Sequence, residues 1–369
     1  MRFPSQALPA RDVVSIPSVG QVHALAGQPA LRILLITNDF PHASQPTRGI
    51  FNFQMAAALA EQHEVAVIAH VPWVSEWKRR ARFQPITAVP APSRIKIWHP
   101  WYYYPPGLQR AHHGWFLWRS IASLARRVVA NFKPDVVLAY WLHPDGEAAV
   151  RIAREAGIPV VVMSGGSDVL VVARDPRRRR RMIAVLTAAD AVVCVSEHLR
   201  RAVTAFGIAA GKIHVVYRGV DPERFHPGNG GTARARLGLS QDRPLLLWVG
   251  RIAPVKGLET LVDACAALKA EGLDFTLALV GDGSGRDRLV ARVERLGLDD
   301  VVRFAGSVTH DQLGDWYRAA SLVVLPSLSE GVPNVLLEAI ACGTPFVASD
   351  VGGVSEIADG GHDRLVSPA

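Results

Sequence analysis

Short apolar runs rich in β-branched residues alternate with longer helical patterns, and this alternation, repeated twice, limits the chain to βαβ units and parallel sheets. The first series consists of LRILLIT from Leu31, VAVIAH from Val65, RIKIW from Arg94, DVVLAY from Asp135, PVVVM from Pro159, AVVCVS from Ala191 and IHVVY from Ile213. The stretch RGVDPERFHPGNGG then breaks the pattern with two prolines and four glycines. It reads as an interdomain linker. The second series is PLLLWVG from Pro244, FTLALVG from Phe275, VVRFAG from Val301, LVVLPS from Leu322 and PFVASD from Pro345. The expected fold class is therefore α/β, with two Rossmann-like, doubly wound domains facing a central cleft. In such sheets ligands bind beyond the carboxyl ends of the strands, so the cleft is where a ligand is expected. The expected boundaries are a poorly ordered extension over 1–30, a first domain over 31–217, the linker over 218–231 and a second domain over 232–369.

A length of 369 residues also favours two domains, since one hydrophobic core usually stops growing earlier. The 41 Lys plus Arg against 33 Asp plus Glu leave a formal charge of +8, which favours anionic partners without choosing among them. Cys194, Cys265 and Cys342 lie far apart in apolar runs, with no CxxC pair and no His at metal-ligand spacing, and read as reduced core residues. No apolar run approaches the roughly 18 residues of a spanning helix, and no signal peptide is evident. A cytoplasmic protein, soluble or peripheral on the inner face of the membrane, is expected.

The strongest chemical signal is SLSEGVPNVLLEAIACGTPFVASDVGG, residues 327–353, which runs strand, glycine-containing loop, helix, turn, strand and glycine pair. Gly331 lets backbone approach a ligand, Val332 follows it, and Pro333 suits a helix start. The free N–H groups from Asn334 and Val335 onward make an anion site. Glu330 precedes this helix and Glu338 lies about two turns deeper, suited to two different hydroxyl-bearing parts of one long ligand. An isolated pair of helix acids is usually only solvated, so the weight here comes from the surrounding order. A second signal is WVGRIAPVKGLETLVDA from Trp248. There Arg251 follows a strand-ending glycine and Lys256 opens a helix, two cations suited to a diphosphate whose charge grows as a sugar departs. The third is VGDGSGRDRL from Val280, where Gly281 and Gly283 begin a glycine loop but Arg286 takes the last glycine position of the dinucleotide fingerprint.

Together these segments resemble the signature of the family 4 glycosyltransferases, a GT-B fold family, over roughly Leu31 to the last residue. The resemblance implies that Glu330 bonds the hydroxyls of the transferred sugar and Glu338 the ribose of a nucleotide. It also implies that Arg251 and Lys256 hold the donor diphosphate, and that the Gly281–Gly283 loop, with Arg303 and Phe304, borders the base largely through backbone. In NDFPHASQPTRGIFNF, Gly49 stands before a helix where the donor or acceptor approaches. The family usually has adjacent glycines there, whereas this chain has Arg48 then Gly49. DVVLAYWLHPDGEAA resembles the segment that brings a histidine to the sugar. The commonest family position is occupied by Tyr140, and the imidazole appears instead at His143. SGGSDV contributes Asp168, near acceptor and donor sugar or as a helix N-cap. The family normally continues past the LVSP segment into a helix crossing back to the first domain, a helix this chain is expected to lack.

No Asp-x-Asp pair occurs in the chain, so no metal site and no cofactor are expected: the nucleotide sugar, a UDP- or GDP-sugar, is a substrate, and cations with helix dipoles replace the metal. Retention of configuration is implied by the family. The expected acceptor is a glycan or lipid-linked acceptor. Competing readings are a GT-B nucleotide-sugar epimerase and a catalytically silent sugar-nucleotide binder; a nicotinamide dehydrogenase lacks its fingerprint, and no nucleic-acid partner is expected. An anionic membrane surface is a further expected partner. Trp73, Trp77, Lys78, Arg79, Arg80 and Arg82, the aromatic run from Trp98, and the arginines from Arg174 to Arg181 suit that role, though a solvated arginine face explains them about as well.

Overall fold

The computed structural model describes residues 29–46, 48–74, 92–358 and 363–368, and Leu31–Ala369 forms one compact unit. Residues 1–28 of the expected extension over 1–30, Trp77 and the basic residues at 78–82 lie outside the described residues.

The first sheet contains β1 (Arg32–Thr37), β2 (Glu64–Ala69), β4 (Ile95–Trp98), β6 (Val136–Tyr140), β7 (Val160–Ser164), β8 (Ala191–Cys194) and β9 (Ile213–Val215). A two-stranded ribbon, β3 (Val71–Pro72) with β5 (Trp101–Tyr102), stands beside it. The second sheet contains β10 (Leu245–Val249), β11 (Thr276–Val280), β12 (Val302–Gly306), β13 (Leu322–Leu325), β14 (Phe346–Ser349) and β15 (Arg364–Val366). Every strand pair is parallel. The strand orders are β4-β2-β1-β6-β7-β8-β9 and β12-β11-β10-β13-β14-β15, so each sheet reverses direction once, at β1/β6 and at β10/β13. These reversals are the topological switch points at which open α/β sheets bind ligands.

The apolar runs become strands because helices cover both faces, which removes any polar alternation. Leu34, Leu35 and Ile36 in β1 and Leu277, Ala278 and Leu279 in β11 are buried on successive, opposite-facing positions. The helices between them start where the chain supplies caps. Asp175 accepts from the amides of Arg177 and Arg178 at the head of Pro176–Ala188, Ser196 caps Glu197–Thr204, and Thr309 with Gln312 forms a capping box on His310–Ala319. The three cysteines are free and buried. Residues 218–231, read as a linker, form a strap packed on the second sheet, with Phe225 buried in that core and Arg318 donating to the carbonyls of Arg224 and His226.

The two sheets meet along a seam of glycines. Gly166, at φ 123°, lies so near Gly331 that a Cβ built on it comes 2.7 Å from Gly331 Cα. A Cβ on Gly331 overlaps the Gly165 carbonyl, and one on Gly352 overlaps the Glu330 carbonyl. Val332 from the second half is buried within the core of the first. Next to it, the Glu356 carboxylate crosses the seam and accepts from the amides of Glu197 (2.7 Å) and His198 (2.6 Å) and from the Tyr217 hydroxyl (2.9 Å). A carboxylate at a helix N-terminus satisfies amides that the helix itself leaves open and complements its dipole. Glu356→Ala is expected to cost about 1–3 kcal/mol, the usual penalty for stranding such partners. Urea unfolding with an unchanged midpoint would refute this assignment.

Candidate functional site

The loops at the second switch point follow β10 and β13. In the first, Gly257 turns in the left-handed region at φ 65°, and a side chain there would overlap the Pro326 carbonyl. The loops are joined further by the Leu328 amide donating to the Val255 carbonyl at 2.9 Å. This close fit sets Lys256 against Glu330: Nζ stands 2.6 Å from Oε1, with both side chains largely buried. Arg251 lies on the same loop, exposed and with no ion pair among the described residues. Pro333 precedes Asn334–Ala341, directly after Gly331 and Val332; the Leu336 amide donates to the Pro333 carbonyl at 3.1 Å, which leaves the amides of Asn334 and Val335 open at the helix start.

Glu338 lies one turn further along that helix, on the same face as Asn334. Its Oε2 accepts from Tyr317 Oη at 2.6 Å, and Oε1 lies 3.4 Å from His310 Nε2. Burial and this carboxylate push the Tyr317 hydroxyl well above its ordinary value, so it stays a donor. An ionised carboxylate has about four acceptor sites, so capacity for a ligand remains. Gln54, from helix Ile50–Ala60 of the first half, reaches His310 Nδ1 at 3.4 Å, so the carboxylate network spans the cleft.

The glycine loop after β11 is shaped by packing. Side chains at Gly281 and Gly283 would overlap the carbonyls of Gly250 and Ile252, and the Ile252 amide donates to Asp282 O at 3.0 Å. These glycines therefore nest one loop on the loop that carries Arg251. Arg303, expected beside the base through its backbone, sends its guanidinium to the carbonyls of Leu237 and Gly238, closing the end of helix Gly230–Leu237. Phe304 is half-buried beneath the Arg286 guanidinium, 5.6 Å from its ring centroid. Strand alternation sends neighbouring side chains to opposite faces, which separates the two.

The comparisons with known proteins agree with this architecture. The profile described as Glycosyl transferases group 1 matches residues 231–369, and that described as Glycosyltransferase Family 4 matches residues 49–224. The chain belongs to the family 4 glycosyltransferases. It is 38% identical over 256 residues to D-inositol 3-phosphate glycosyltransferase 1 of Catenulispora acidiphila, covering 62% of this chain and 61% of that protein. It is also 36% identical over 264 residues to D-inositol 3-phosphate glycosyltransferase of Frankia alni, covering 65% and 64%. The matches thus span less than two thirds of these relatives' lengths. Among solved structures, sucrose-phosphate synthase from Thermosynechococcus elongatus superposes with a TM-score of 0.76 at 24% identity, over 92% of this chain and 86% of that one. Anabaena HepE in complex with UDP-glucose gives 0.69 at 19% identity over the same shares. These likenesses show the GT-B fold.

At the first switch point of this family 4 chain, Gly49 turns at φ 59° into helix Ile50–Ala60, with no room for a Cβ against the Asp39 carbonyl. His143 does not reach the cleft. Its imidazole is buried, with Nε2 3.0 Å from the Arg110 carbonyl and Nδ1 3.7 Å from Glu147, because the chain turns inward after Trp141 (φ 83°). Asp168 is likewise committed: it accepts from Ser164 Oγ and from the amides of Gly166, Val169 and Leu142, which binds the loop after β7 to the loop after β6. The sequence reading passed over Asp145, which is buried and accepts from the Asn38 amide at 3.0 Å and His70 Nε2 at 2.9 Å. One carboxylate thereby joins the loops following β1, β2 and β6. The only local signal was a Pro-Asp-Gly turn after a strand. It also passed over Arg218, whose guanidinium lies over Phe51 and Tyr140 and donates to Asn334 Oδ1 at 3.1 Å.

Behind these loops His113 packs on Tyr104, ring centroids 4.5 Å apart. Burial, with added repulsion from His143, Arg178 and Arg110, pushes its pKa down to about 4. Unfolded histidine titrates near 6.5. As pH falls from about 6.5 towards 4, the unfolded chain binds a proton that the folded chain refuses, so stability is lost over that window. His113→Phe should flatten this loss. Equal pH dependence of the urea midpoint in both proteins would contradict the assignment.

Proposed function

We propose that the protein is a retaining, metal-independent glycosyltransferase that transfers a sugar from a UDP- or GDP-sugar to a phosphorylated polyol, glycan or lipid-linked acceptor. The observation that carries this reading is the Lys256–Glu330 pair at the mouth of helix Asn334–Ala341, on one switch point and facing the other. The relatives named D-inositol 3-phosphate glycosyltransferases favour a phosphorylated polyol among the acceptors, and HepE, solved with UDP-glucose, favours a nucleotide-sugar donor. Arg177, Arg179 and Arg180 form an exposed basic face on helix Pro176–Ala188, which supports attachment to an anionic membrane surface.

Lys256, held by Glu330, and Arg251 lie against the diphosphate, with the first amides of the helix adding their dipole. As the bond from C1 to the phosphate oxygen breaks, the electron pair passes to the diphosphate, where the two cations stabilise it. The acceptor oxygen bonds to C1 on the same face, and its proton passes to the departing phosphate oxygen. Glu330 orients the sugar hydroxyls and keeps Lys256 in place. Glu338, braced by Tyr317, holds the ribose.

These roles separate in kinetics. Lys256→Ala removes a contact to charge that develops in the transition state and should lower kcat roughly 100- to 1000-fold, about 3–4 kcal/mol. Glu338→Ala loses hydrogen bonds to an unreacting diol, so it should mainly raise KM, at about 1–3 kcal/mol. Steady-state rates over a panel of UDP- and GDP-sugars with D-inositol 3-phosphate check this, and near-normal kcat in folded Lys256→Ala would sink the leaving-group role. EDTA should leave transfer unchanged; loss restored by magnesium or manganese would overturn the metal-independent mechanism.

A further inference from the structure

Arg218 is the first residue of the strap between the two sheets, and its side chain touches both halves. Its guanidinium lies 4.4 Å from the Phe51 ring centroid and 5.3 Å from that of Tyr140. Phe51 is the second residue after Gly49 on the helix that opens there, and Tyr140 ends β6 at the first switch point. On the other side Nη1 donates to Asn334 Oδ1 at 3.1 Å, and Asn334 is the first residue of the helix whose approach carries Glu330. Among the described residues this is its one hydrogen bond, and it has no ion pair. A guanidinium carries five N–H donors in a rigid plane. The Phe51 and Tyr140 centroids lie only 5.2 Å from each other, so both rings sit on one side of the guanidinium. Donors are left on the other side, where a two-oxygen anion docks.

The surrounding charges point the same way. The nearest acid acting on it is Asp39, already engaged by Arg48 Nε at 3.2 Å and Trp141 Nε1 at 3.0 Å. Arg218 is half-buried, and burial lowers its pKa to about 10, as for a cation partly withdrawn from water without a paired counter-ion. The other cations of the cleft differ. Lys256 is paired with Glu330, and Arg251 stands in solvent. A partly desolvated, stacked and unpaired guanidinium beside a helix N-terminus is suited to phosphate oxygens, since the amides of that terminus attract the same charge.

We propose that Arg218 is a phosphate-binding residue of the cleft, which clamps a substrate phosphate between the strap and the start of helix Asn334–Ala341. The inference rests on the donor and acceptor classes assigned above. The phosphate comes either from the donor diphosphate or from a phosphorylated acceptor. Because Arg218 contacts both halves, the bound anion joins Phe51 and Tyr140 to Asn334 and holds the two sheets together across the cleft.

Calorimetric titration of the folded protein with inorganic pyrophosphate tests the donor arm, and D-inositol 3-phosphate against unphosphorylated inositol tests the acceptor arm. Arg218→Gln should weaken one phosphate ligand at least tenfold, with Arg218→Lys intermediate because it keeps the charge but loses the planar fork. The affinity for the free nucleoside of whichever of UDP and GDP binds should stay unchanged, which separates a lost phosphate contact from a collapsed site. Loss in the pyrophosphate arm assigns Arg218 to the donor, and loss confined to D-inositol 3-phosphate assigns it to the acceptor. Less than a twofold change in both arms overturns the inference, while the donor reading stands if Lys256→Ala still weakens pyrophosphate. Failure of the unsubstituted protein to bind UDP, GDP or pyrophosphate overturns the donor reading and this inference with it.

Discussion

Contact between backbone and backbone at Gly166, Gly331 and Gly352 is the constraint on which the rest of the cleft depends. Two α/β sheets meeting through ordinary side chains would stand several ångströms further apart, and Val332 would not reach the core of the first half. The loop from Glu330 to Pro333 is thus clamped on two sides, by Gly165 and Gly166 and by Gly352 and Gly353. Its one long polar side chain, that of Glu330, is directed at Lys256. A carboxylate held this way loses little conformational entropy when a ligand arrives, which is the condition for an oriented hydroxyl contact.

Carboxylates, two buried and one half-buried, do most of the remaining positioning. Asp145 and Asp168 organise the loops of the first switch point, and Glu356 ties the second half to helix Glu197–Thr204. Each has both oxygens accepting from protein donors, at least one of them a backbone amide. Burial raises the pKa of both Asp145 and Asp168 despite those bonds. Their cost to stability is accepted where the strand-end loops must not move. Glu330 differs in having a lysine as partner, which holds that cation beside the start of helix Asn334–Ala341.

The strands were legible because burial on both faces leaves uninterrupted apolar runs, and the order of motifs at their carboxyl ends followed from that. The pairing of Lys256 with Glu330, 74 residues apart, was reachable only through the resemblance that placed both at one ligand. What the sequence hid are contacts with no local period. Asp145 and His70 lie 75 residues apart, Arg218 and Asn334 are separated by 116, and Glu356 lies 159 residues from Glu197. His143 shows the converse failure. A histidine in a loop after a strand was expected at the cleft, but the positive φ at Trp141 turns the chain so that the ring packs under Arg110. The Arg303 side chain was equally illegible, since one residue along a strand decides which face a side chain serves.

The net charge of +8 acquires its meaning from where the cations stand. Arg177, Arg179 and Arg180 are exposed on one helix, where salt screens their charge. Arg178, from the same helix, is turned inward, where burial lowers its pKa; it adds a small repulsion at the neighbouring His113, which burial chiefly, and then His143, keep neutral. Lys256 and Arg218 are the partly desolvated cations facing the cleft, one balanced by Glu330 and the other without a partner acid. Electrostatic attraction strengthens as water is excluded, so these two partly buried charges bear more on an anionic substrate than the more numerous arginines outside.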